Sequence, residues 1–282
     1  MSSKNDLNDL PPLREVIRAH DLIADKKFGQ NFLFDSNITD KIARHAGQAC
    51  GGFDTKNVIE IGSGPGGLTR SLLKAGAKLV TAVEFDPRAV GALQDLKDAS
   101  DGRLEIIEGD ALETDLVQLV PAPRVIVANL PYNIATPLLI GWLKQLRENE
   151  SAYDALILMF QKEVAQRICA GVGDKAYGRL SVISQWLCDC KKLFDLSPSA
   201  FTPPPKVTSS VVQFIPKTIE DDAPNFEDVE AVTAAAFGQR RKMIRSSLKE
   251  YAVAADACGL DQNLRAENLS GADYIKLAKS LT

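Results

Sequence analysis

The feature that most constrains the fold of this chain is the alternation of strand-like and helix-like runs that begins near residue 57. Strand candidates are NVIEIG, KLVTAVE, RLEIIEGD, RVIVANLP and DALILMF. Helix candidates are LTRSLLKAG, DPRAVGALQDLK, ATPLLIGWLKQL and QKEVAQRICAG. This spacing predicts a Rossmann-like α/β fold, with a parallel sheet covered by helices on both faces. In such folds, ligands bind outside the carboxyl ends of the strands.

The flanking regions predict an N-terminal arm and a small C-terminal domain. Residues 12–20 predict a short helix, and Ser36 is the expected N-cap of a second helix, with Gly47 at its C-cap. Two later strand candidates, KKLFDLS and SSVVQFI, flank the proline-rich loop PSAFTPPPKV.

A domain boundary is predicted at about residue 216, where a proline is followed by the acidic run EDDAP. We therefore expect a catalytic domain over residues 1–216 and a small helical domain over residues 217–282.

The composition narrows the classes of function. The sequence has two histidines, which argues against a His-rich metal site or a Ser-His-Asp triad. Its net charge of −4 argues against a surface coated in positive charge but does not exclude nucleic acid, which a local patch can bind. Its five cysteines are irregularly spaced, so we expect small buried side chains rather than disulfides or zinc ligands. No apolar run approaches the roughly 20 residues of a membrane span, and the N-terminus resembles no signal or transit peptide. We expect a cytoplasmic protein without a metal.

A glycine-rich turn follows the first of the alternating strands. In VIEIGSGPGGLT, Gly62, Gly64 and Gly67 lie between a strand and a helix. Glycines let the backbone approach a ligand closely, and the N-terminus of the following helix favours an anionic group. A dinucleotide would place its pyrophosphate there, and S-adenosylmethionine its methionine end, so this motif alone leaves both cofactors open.

Acidic residues next to this turn indicate a nucleoside. Glu84 ends the next strand, where a carboxylate can accept hydrogen bonds from ribose hydroxyls. Asp110 closes the third strand, within expected reach of an adenine amino group. Glu60 lies on the first strand just before the glycines, a pattern more typical of methyltransferases. Three acids around one turn favour a cofactor site over solvated strand ends.

Taken in order, the motifs FGQNFL, EIGSGPGGLT, VEFD, EGDAL, NLPYNIATPLL, QKEVAQRI, YGRLSV, FTPPPKV and FGQRRKMIRSSL resemble the small-subunit ribosomal RNA adenine dimethyltransferase family. The resemblance covers about residues 26–250. It implies transfer of methyl groups from S-adenosylmethionine to N6 of two adjacent adenosines in the 3′-terminal hairpin of 16S rRNA. The cofactor contacts that it implies fall on Asn31, Leu33, Gly62, Gly64, Glu84, Asp110, Ala111 and Asn129. The chain has Ser63-Gly64-Pro65 where many relatives have Pro-Gly-Leu.

In this family context, the sequence Asn129-Leu130-Pro131-Tyr132 predicts the catalytic site. The N6 lone pair of adenine is delocalised into the ring, so acceptors aimed at its N–H groups favour the geometry that attacks a methyl group. The Asn129 side-chain oxygen and the Leu130 carbonyl are the expected acceptors. Pro131 restricts the backbone, and Tyr132 is expected to stack on the base, with Phe201 covering its other face. Without this context, the same four residues are equally consistent with a strand-ending turn.

A dense basic run predicts the RNA-binding surface, namely Arg240, Arg241, Lys242, Arg245 and Lys249. We expect Arg241, Arg245 and Lys249 to share one helical face, because they are spaced by four residues. Further cations that extend this surface are Lys26, Lys27, Arg167, Lys175, Arg179 and Lys206, with Lys191 and Lys192 as weaker candidates.

Three other functions remain open at this point: a large-subunit rRNA adenine methyltransferase, a non-catalytic ribosome-assembly factor and an NAD-dependent dehydrogenase. YGRLSV and FTPPPKV favour the small-subunit enzyme over the large-subunit one. The intact NLPY motif favours catalysis, and a dehydrogenase has no use for it. The expected partner is small-subunit rRNA in an immature small ribosomal subunit, bound by a monomer.

Overall fold

A computed structural model describes Leu7, Asp9–Leu22 and Gln30–Leu281. The chain divides into two compact units, which the following paragraphs treat one at a time. Unit 1 comprises residues 1–141, 151–162 and 193–215. Unit 2 comprises residues 142–150, 163–192 and 216–282. Unit 2 thus contains the predicted helical domain and two earlier segments. The contribution of either domain to function stays a prediction.

Nine strands are described. They are β1 (Phe32–Leu33), β2 (Asn57–Ile61), β3 (Leu79–Glu84), β4 (Leu104–Glu108), β5 (Arg124–Ala128), β6 (Ala155–Gln161), β7 (Cys188–Leu196), β8 (Phe201–Thr202) and β9 (Ser209–Pro216). Seven of these form one sheet in the order β4-β3-β2-β5-β6-β9-β7. Strands β2 to β6 pair in parallel, whereas β9 runs antiparallel to β6.

The described α-helices are α1 (Leu13–Ala19), α2 (Ser36–Ala49), α3 (Gly67–Lys74), α4 (Pro87–Ala92), α5 (Gln94–Ala99), α6 (Leu116–Leu119), α7 (Tyr132–Glu148), α8 (Lys162–Cys169), α9 (Arg179–Leu187), α10 (Phe226–Gly238), α11 (Ile244–Ser247), α12 (Ala252–Ala257) and α13 (Gly271–Lys279). The predicted single helix DPRAVGALQDLK is two short helices, α4 and α5, separated at Leu93. Among the described helices, none is long and apolar enough to cross a membrane.

The prediction for α2 was wrong at its two ends. Asp35, not Ser36, is the N-cap, and its carboxylate accepts a hydrogen bond from the backbone N–H of Asn37 at 2.9 Å. The helix continues past Gly47 to Ala49, and Cys50 is its C-cap. An aspartate at this position satisfies a free amide of the first turn as well as a serine does.

The apolar runs form the strands because every residue of β2 and β5 is buried. Aligned residues such as Val58, Val80 and Val125 are completely excluded from solvent and belong to one core cluster. Helix α2 contributes Ile42 to the same cluster, and α3 contributes Leu72. Burial of such side chains stabilises each by about 1.5–3 kcal/mol. The core therefore holds the carboxyl ends of β2, β3 and β5 at one edge.

Strands β1 and β8 form a separate two-stranded sheet, in which Phe32 pairs with Thr202 and Leu33 with Phe201. This pairing joins two sequence motifs that lie far apart, FGQNFL and FTPPPKV. The first two residues of the former, Phe28 and Gly29, lie outside the described residues. The N-terminal arm and the proline-rich loop are thus one structural feature of unit 1.

Unit 2 is organised by helices α9, α10 and α13 around aromatic contacts. The ring of Phe237 lies 5.4 Å from that of Tyr274 and 5.9 Å from that of Tyr177. Tyr274 is fully buried, and its hydroxyl donates to the Ala266 carbonyl at 2.7 Å. This hydrogen bond satisfies the one polar group of a buried tyrosine.

Candidate active site

A cavity lies at the carboxyl ends of β2, β3 and β5, where the sequence predicted a ligand site. Seven of the eight predicted cofactor residues line it, namely Asn31, Gly62, Gly64, Glu84, Asp110, Ala111 and Asn129. The four residues Asn129, Leu130, Pro131 and Tyr132 line the same cavity. The structure therefore brings the NLPY residues together with residues as far away in the sequence as Asn31, 98 positions before Asn129.

The glycine turn requires glycine for two reasons. Gly62 and Gly64 have φ values of +70° and +53°, a region that L side chains rarely adopt. A Cβ at Gly64 would lie 2.8 Å from the Phe32 ring, so the turn also lacks space for a side chain. The replacement of Pro-Gly-Leu by Ser63-Gly64-Pro65 leaves this glycine in place.

Glu84 is held in position by three backbone amides. Its Oε1 accepts hydrogen bonds from the N–H groups of Phe85 and Asp86, each at 2.9 Å, and its Oε2 accepts from Gly64 N–H at 2.8 Å. A carboxylate has about four acceptor positions, so Oε2 keeps capacity for a ligand hydroxyl. Burial raises the pKa of Glu84, and the three amides oppose that rise. The amides thus stabilise the ionised acceptor.

Glu60 is buried directly beneath the glycine turn. Burial raises its pKa to about 8, and the neighbouring Glu84 acts in the same direction, whereas a 2.6 Å hydrogen bond from Thr69 Oγ1 lowers it. The carboxyl is therefore mostly protonated at neutral pH. A neutral Glu60 connects β2 to α3 through Thr69 and places no second negative charge beside Glu84.

A hydrogen bond made by the side-chain nitrogen orients the Asn129 amide. Nδ2 donates to the backbone oxygen of Asn31 at 3.0 Å. Within the part of the chain that the structure describes, the side-chain oxygen of Asn129 and the Leu130 carbonyl have no hydrogen-bond partner. The Pro131 carbonyl, in contrast, accepts from the amides of Ile134 and Ala135 in the first turn of α7. Two acceptors are therefore left for a ligand at this end of the cavity.

Tyr132 is half-buried, and its hydroxyl shares a 2.6 Å hydrogen bond with Ser209 Oγ. Burial raises the pKa of the phenol, so it is neutral at physiological pH. Ser209 is the first residue of β9 and is fully buried. Sequence reasoning missed Ser209, and no local signal identifies it, because 77 positions separate the two residues.

Phe85 is a second residue of the cavity that sequence reasoning missed. It lines the cavity directly after Glu84 and is 57% exposed, which is unusual for a phenylalanine. Its position after the acid that closes β3 is the sequence signal that would have found it. An exposed ring at this wall can stack on a flat heterocycle.

Two predicted residues do not line the cavity. Leu33 and Phe201 are 6% and 3% exposed and belong to the apolar core cluster of unit 1. They are partners in the β1–β8 register, which directs the Phe201 ring into the core. Stacking of Phe201 on a base would require its ring to leave this packing, so that role stays a prediction.

The basic side chains of the run from Arg240 to Lys249 are exposed, but the run is not one helix. Helix α11 covers only Ile244–Ser247, so the expected common helical face of Arg241, Arg245 and Lys249 was wrong. The backbone N–H of Ile244 donates to Leu264 O at 2.8 Å, and that of Arg245 donates to Gln262 O at 3.2 Å. These bonds to a distant loop replace the helical hydrogen bonds that the spacing predicted.

The five cations of this run differ in their contacts. Arg240 donates to the carbonyls of Lys175 and Tyr177, each at 2.9 Å, and lies 3.5 Å from Glu267, so it stabilises unit 2 itself. Within the described residues, Arg241, Lys242 and Lys249 make no ion pair or hydrogen bond through their side chains. These three are the cations of the run best placed to bind phosphate.

The additional cations are similarly divided. Arg167 and Arg179 pair with Glu163 and Glu230. Lys175, Lys191, Lys192 and Lys206 are exposed, whereas Lys26 and Lys27 lie outside the described residues. Each carboxylate partner reduces the net positive charge that its arginine presents to a phosphate.

Comparison with known proteins identifies the family. A sequence profile described as "Ribosomal RNA adenine dimethylase" matches residues 23–282. Ribosomal RNA small subunit methyltransferase A of Rhodospirillum rubrum is 54% identical over 275 residues, which cover 96% of this chain and 93% of that protein.

Solved structures agree with this match. A dimethyladenosine transferase from Plasmodium falciparum has a TM-score of 0.70 and 29% identity, covering 87% of this chain and 95% of its own. The 23S rRNA methyltransferase ErmE has a TM-score of 0.65 and 23% identity over 89% of this chain and 99% of its own, a likeness of fold alone. These structures confirm the predicted α/β methyltransferase fold. The motif-based resemblance is also confirmed: the chain belongs to the ribosomal RNA adenine dimethylase family.

Proposed function

We propose that this protein methylates N6 of two adjacent adenosines in the 3′-terminal hairpin of small-subunit rRNA, giving N6,N6-dimethyladenosines. The substrate is rRNA within an immature small ribosomal subunit. The observation that carries the proposal is the pair of unused acceptors, Asn129 Oδ1 and the Leu130 carbonyl, beside Tyr132 in the cavity of a ribosomal RNA adenine dimethylase. A cytoplasmic location, a monomeric state and the absence of a metal stay predictions.

The residues of the cavity fit S-adenosylmethionine as the methyl donor. The glycine turn lacks a Cβ where a ligand would approach the backbone, and Glu84 and Asp110 supply acceptors for hydroxyl and amino groups. Asp110 uses Oδ1 to accept from Leu112 N–H at 2.9 Å, which orients its side chain. When bound, S-adenosylmethionine supplies an electrophilic methyl group. Gly62, Glu84 and Asp110 would hold it, with Asn31 beside Asn129.

The catalytic residues act on the target base. Asn129 Oδ1 and the Leu130 carbonyl accept hydrogen bonds from the N6 amino group, which localises the nitrogen lone pair and stabilises the developing positive charge. Tyr132 stacks on the adenine, and Ser209 fixes the orientation of the ring. The alkylated amine is acidic enough to lose its proton to water, so no histidine is required. Positioning supplies much of the acceleration.

The target adenosines belong to a folded hairpin, so their bases must leave the stack or be presented by a loop. Unit 2 is proposed to bind the rRNA backbone through Arg241, Lys242 and Lys249, with Arg245 beside them. These exposed cations would add a salt-dependent contribution to affinity. The net charge of −4 is compatible with this role, because binding depends on local charge.

The experiment is a methyl-transfer assay with immature small and large ribosomal subunits and labelled S-adenosylmethionine. We expect dimethyladenosine in the small-subunit rRNA only. Asn129→Ala should lower kcat by about 10²–10³, while leaving the affinity for protein-free rRNA within about twofold. Label confined to the large subunit would replace this function by the large-subunit alternative. Absence of label in either subunit would favour a non-catalytic assembly factor.

A further inference from the structure

A second groove of unit 1 lies beside the active-site cavity. Its walls are helix α1 and the paired strands β1 and β8, and it is lined by Arg14, Ile17, Arg18, Phe32, Phe34 and Pro203. We call it the α1 groove. Phe32 lines the active-site cavity as well, so the two depressions share one wall.

Helix α1 is firmly attached to unit 1. Val16 and Leu22 are 5% and 1% exposed and pack against Ala89 and Ala92 of α4. Arg70 of α3 donates to the carbonyl of Pro11 at 2.7 Å. These contacts make α1 a fixed wall of the groove, although the matched family profile begins only at residue 23.

The α1 groove presents two available positive charges. Arg14 and Arg18 are exposed and lie one helical turn apart, on the same face of α1. Within the described residues, neither guanidinium has a hydrogen bond or an ion pair. Among the described residues that line the groove, Asp21 is the one with an acidic side chain, and its backbone carbonyl accepts from Arg88 at 3.3 Å. The described part of the groove is therefore positive overall.

Aromatic rings lie next to these charges. The rings of Phe32 and Phe34 are stacked, with centroids 6.4 Å apart and an interplanar angle of 30°. Phe34 is only half-buried, so part of its ring is open to the groove. Cations that bind phosphate beside an aromatic plane that stacks on a base form the usual combination in single-strand nucleic acid sites.

We propose that the α1 groove binds the rRNA segment adjacent to the target adenosine, with Arg14 and Arg18 on the phosphates and Phe34 against a base. This inference rests on the proposed function, because that function makes an rRNA base the group that enters the cavity. Nucleotides next to a base held at Tyr132 must leave the cavity past its walls, and Phe32 is the wall that continues into the groove. Continuity with the cavity and the positive charge favour RNA over a protein segment.

The test measures binding of protein-free 16S rRNA over a range of salt concentrations. Arg14→Gln/Arg18→Gln should weaken binding about tenfold near 0.1 M salt and reduce the slope of log K against log salt by about 1.4, since each single-strand phosphate contact contributes roughly 0.7. Phe34→Leu should weaken binding about tenfold without a change in slope. Lys78→Gln/Lys97→Gln removes two exposed charges of unit 1 outside the groove and is the matched control.

Methylation of immature subunits provides the second readout. The double arginine variant should raise KM for the subunit, with kcat and the affinity for S-adenosylmethionine unchanged. An unchanged salt slope, or the same loss of affinity in the lysine control, contradicts the proposal that the groove binds rRNA. So does weaker binding to subunits but not to protein-free rRNA, which would assign the groove to a ribosomal protein. If the wild-type protein binds rRNA through the groove but methylates no subunit, the proposed function is wrong, whereas the rRNA-binding role of the groove is supported.

Discussion

Replacement of Gly64 by alanine tests whether the glycine turn is shaped by backbone conformation, by lack of space, or by the two together. Gly64 has φ +53°, and an added Cβ would lie 2.8 Å from Phe32 Cε1 and 3.0 Å from Cδ1. The Phe32 ring is 8% exposed, so it has little free volume into which it can move. The change therefore strains the backbone and overpacks the turn.

The magnitude follows from these two effects. The left-handed conformation costs an alanine about 1–2 kcal/mol, partly offset by the lower entropy of the unfolded chain. Overpacking adds about 1–3 kcal/mol. We expect Gly64→Ala to reduce the free energy of unfolding by about 2–4 kcal/mol. Affinity for S-adenosylmethionine should fall at least tenfold, because Gly64 N–H also positions Glu84.

Gly76→Ala is the matched control. Gly76 has φ +90°, but no atom lies within 4 Å of an added Cβ. This variant should lose only the backbone contribution, about 1 kcal/mol, and should keep its cofactor affinity. Urea unfolding gives the stabilities, and isothermal titration calorimetry gives the affinities.

A double mutant separates the clash from the strain. Phe32→Ala removes the ring atoms that an alanine at position 64 would meet. The double mutant should therefore be about 1–2 kcal/mol more stable than the sum of the two single losses predicts. Additive losses, or a Gly64→Ala protein as stable as Gly76→Ala, would refute the reasoning from the Phe32 contact.

Three further predictions concern other parts of the molecule. Ser209→Ala and Tyr132→Phe each remove the 2.6 Å hydrogen bond and should lower kcat/KM to a similar extent, about two- to tenfold, in steady-state assays; a much larger effect of one variant alone would contradict a simple orienting role. Glu60 has a folded-state pKa raised to about 8, so its contribution to stability is complete below about pH 4.5 and is lost as the pH rises through about 8; urea unfolding between pH 5 and 9 should show this loss, and Glu60→Gln should abolish it. Charge reversal at Arg241 and Arg245 should weaken rRNA binding and flatten its salt dependence, whereas an unchanged slope would remove these residues from the RNA-binding surface.

The glycine turn could be predicted from the sequence because its chemistry is local, whereas the role of the NLPY motif was predicted from the family resemblance. A strand, a turn with positive φ and a helix follow one another directly, so Gly62, Gly64 and Glu84 were placed at one edge before any tertiary contact was known. The parallel order of strands then brings Asn129 to the same edge. The motifs that carried the family resemblance lie mostly at these strand ends.

The basic run shows where local reasoning failed. A spacing of four residues predicts a helical face only if the backbone is helical throughout. Here the amides of Ile244 and Arg245 bond to the loop at residues 262–264, and Arg240 is used within unit 2. Such competing partners lie outside any local window of sequence.

The sequence by itself determined the α/β architecture and the glycine turn, because hydrophobic periodicity and φ preference act over a few neighbouring residues. Only the tertiary structure decided that Ser209 holds Tyr132, that the Gly64 amide engages Glu84, and that Phe201 turns into the core opposite Leu33. Each of these depends on contacts between segments far apart in the chain. Their geometry is set by the packing of the sheet and its helices, which no local pattern contains.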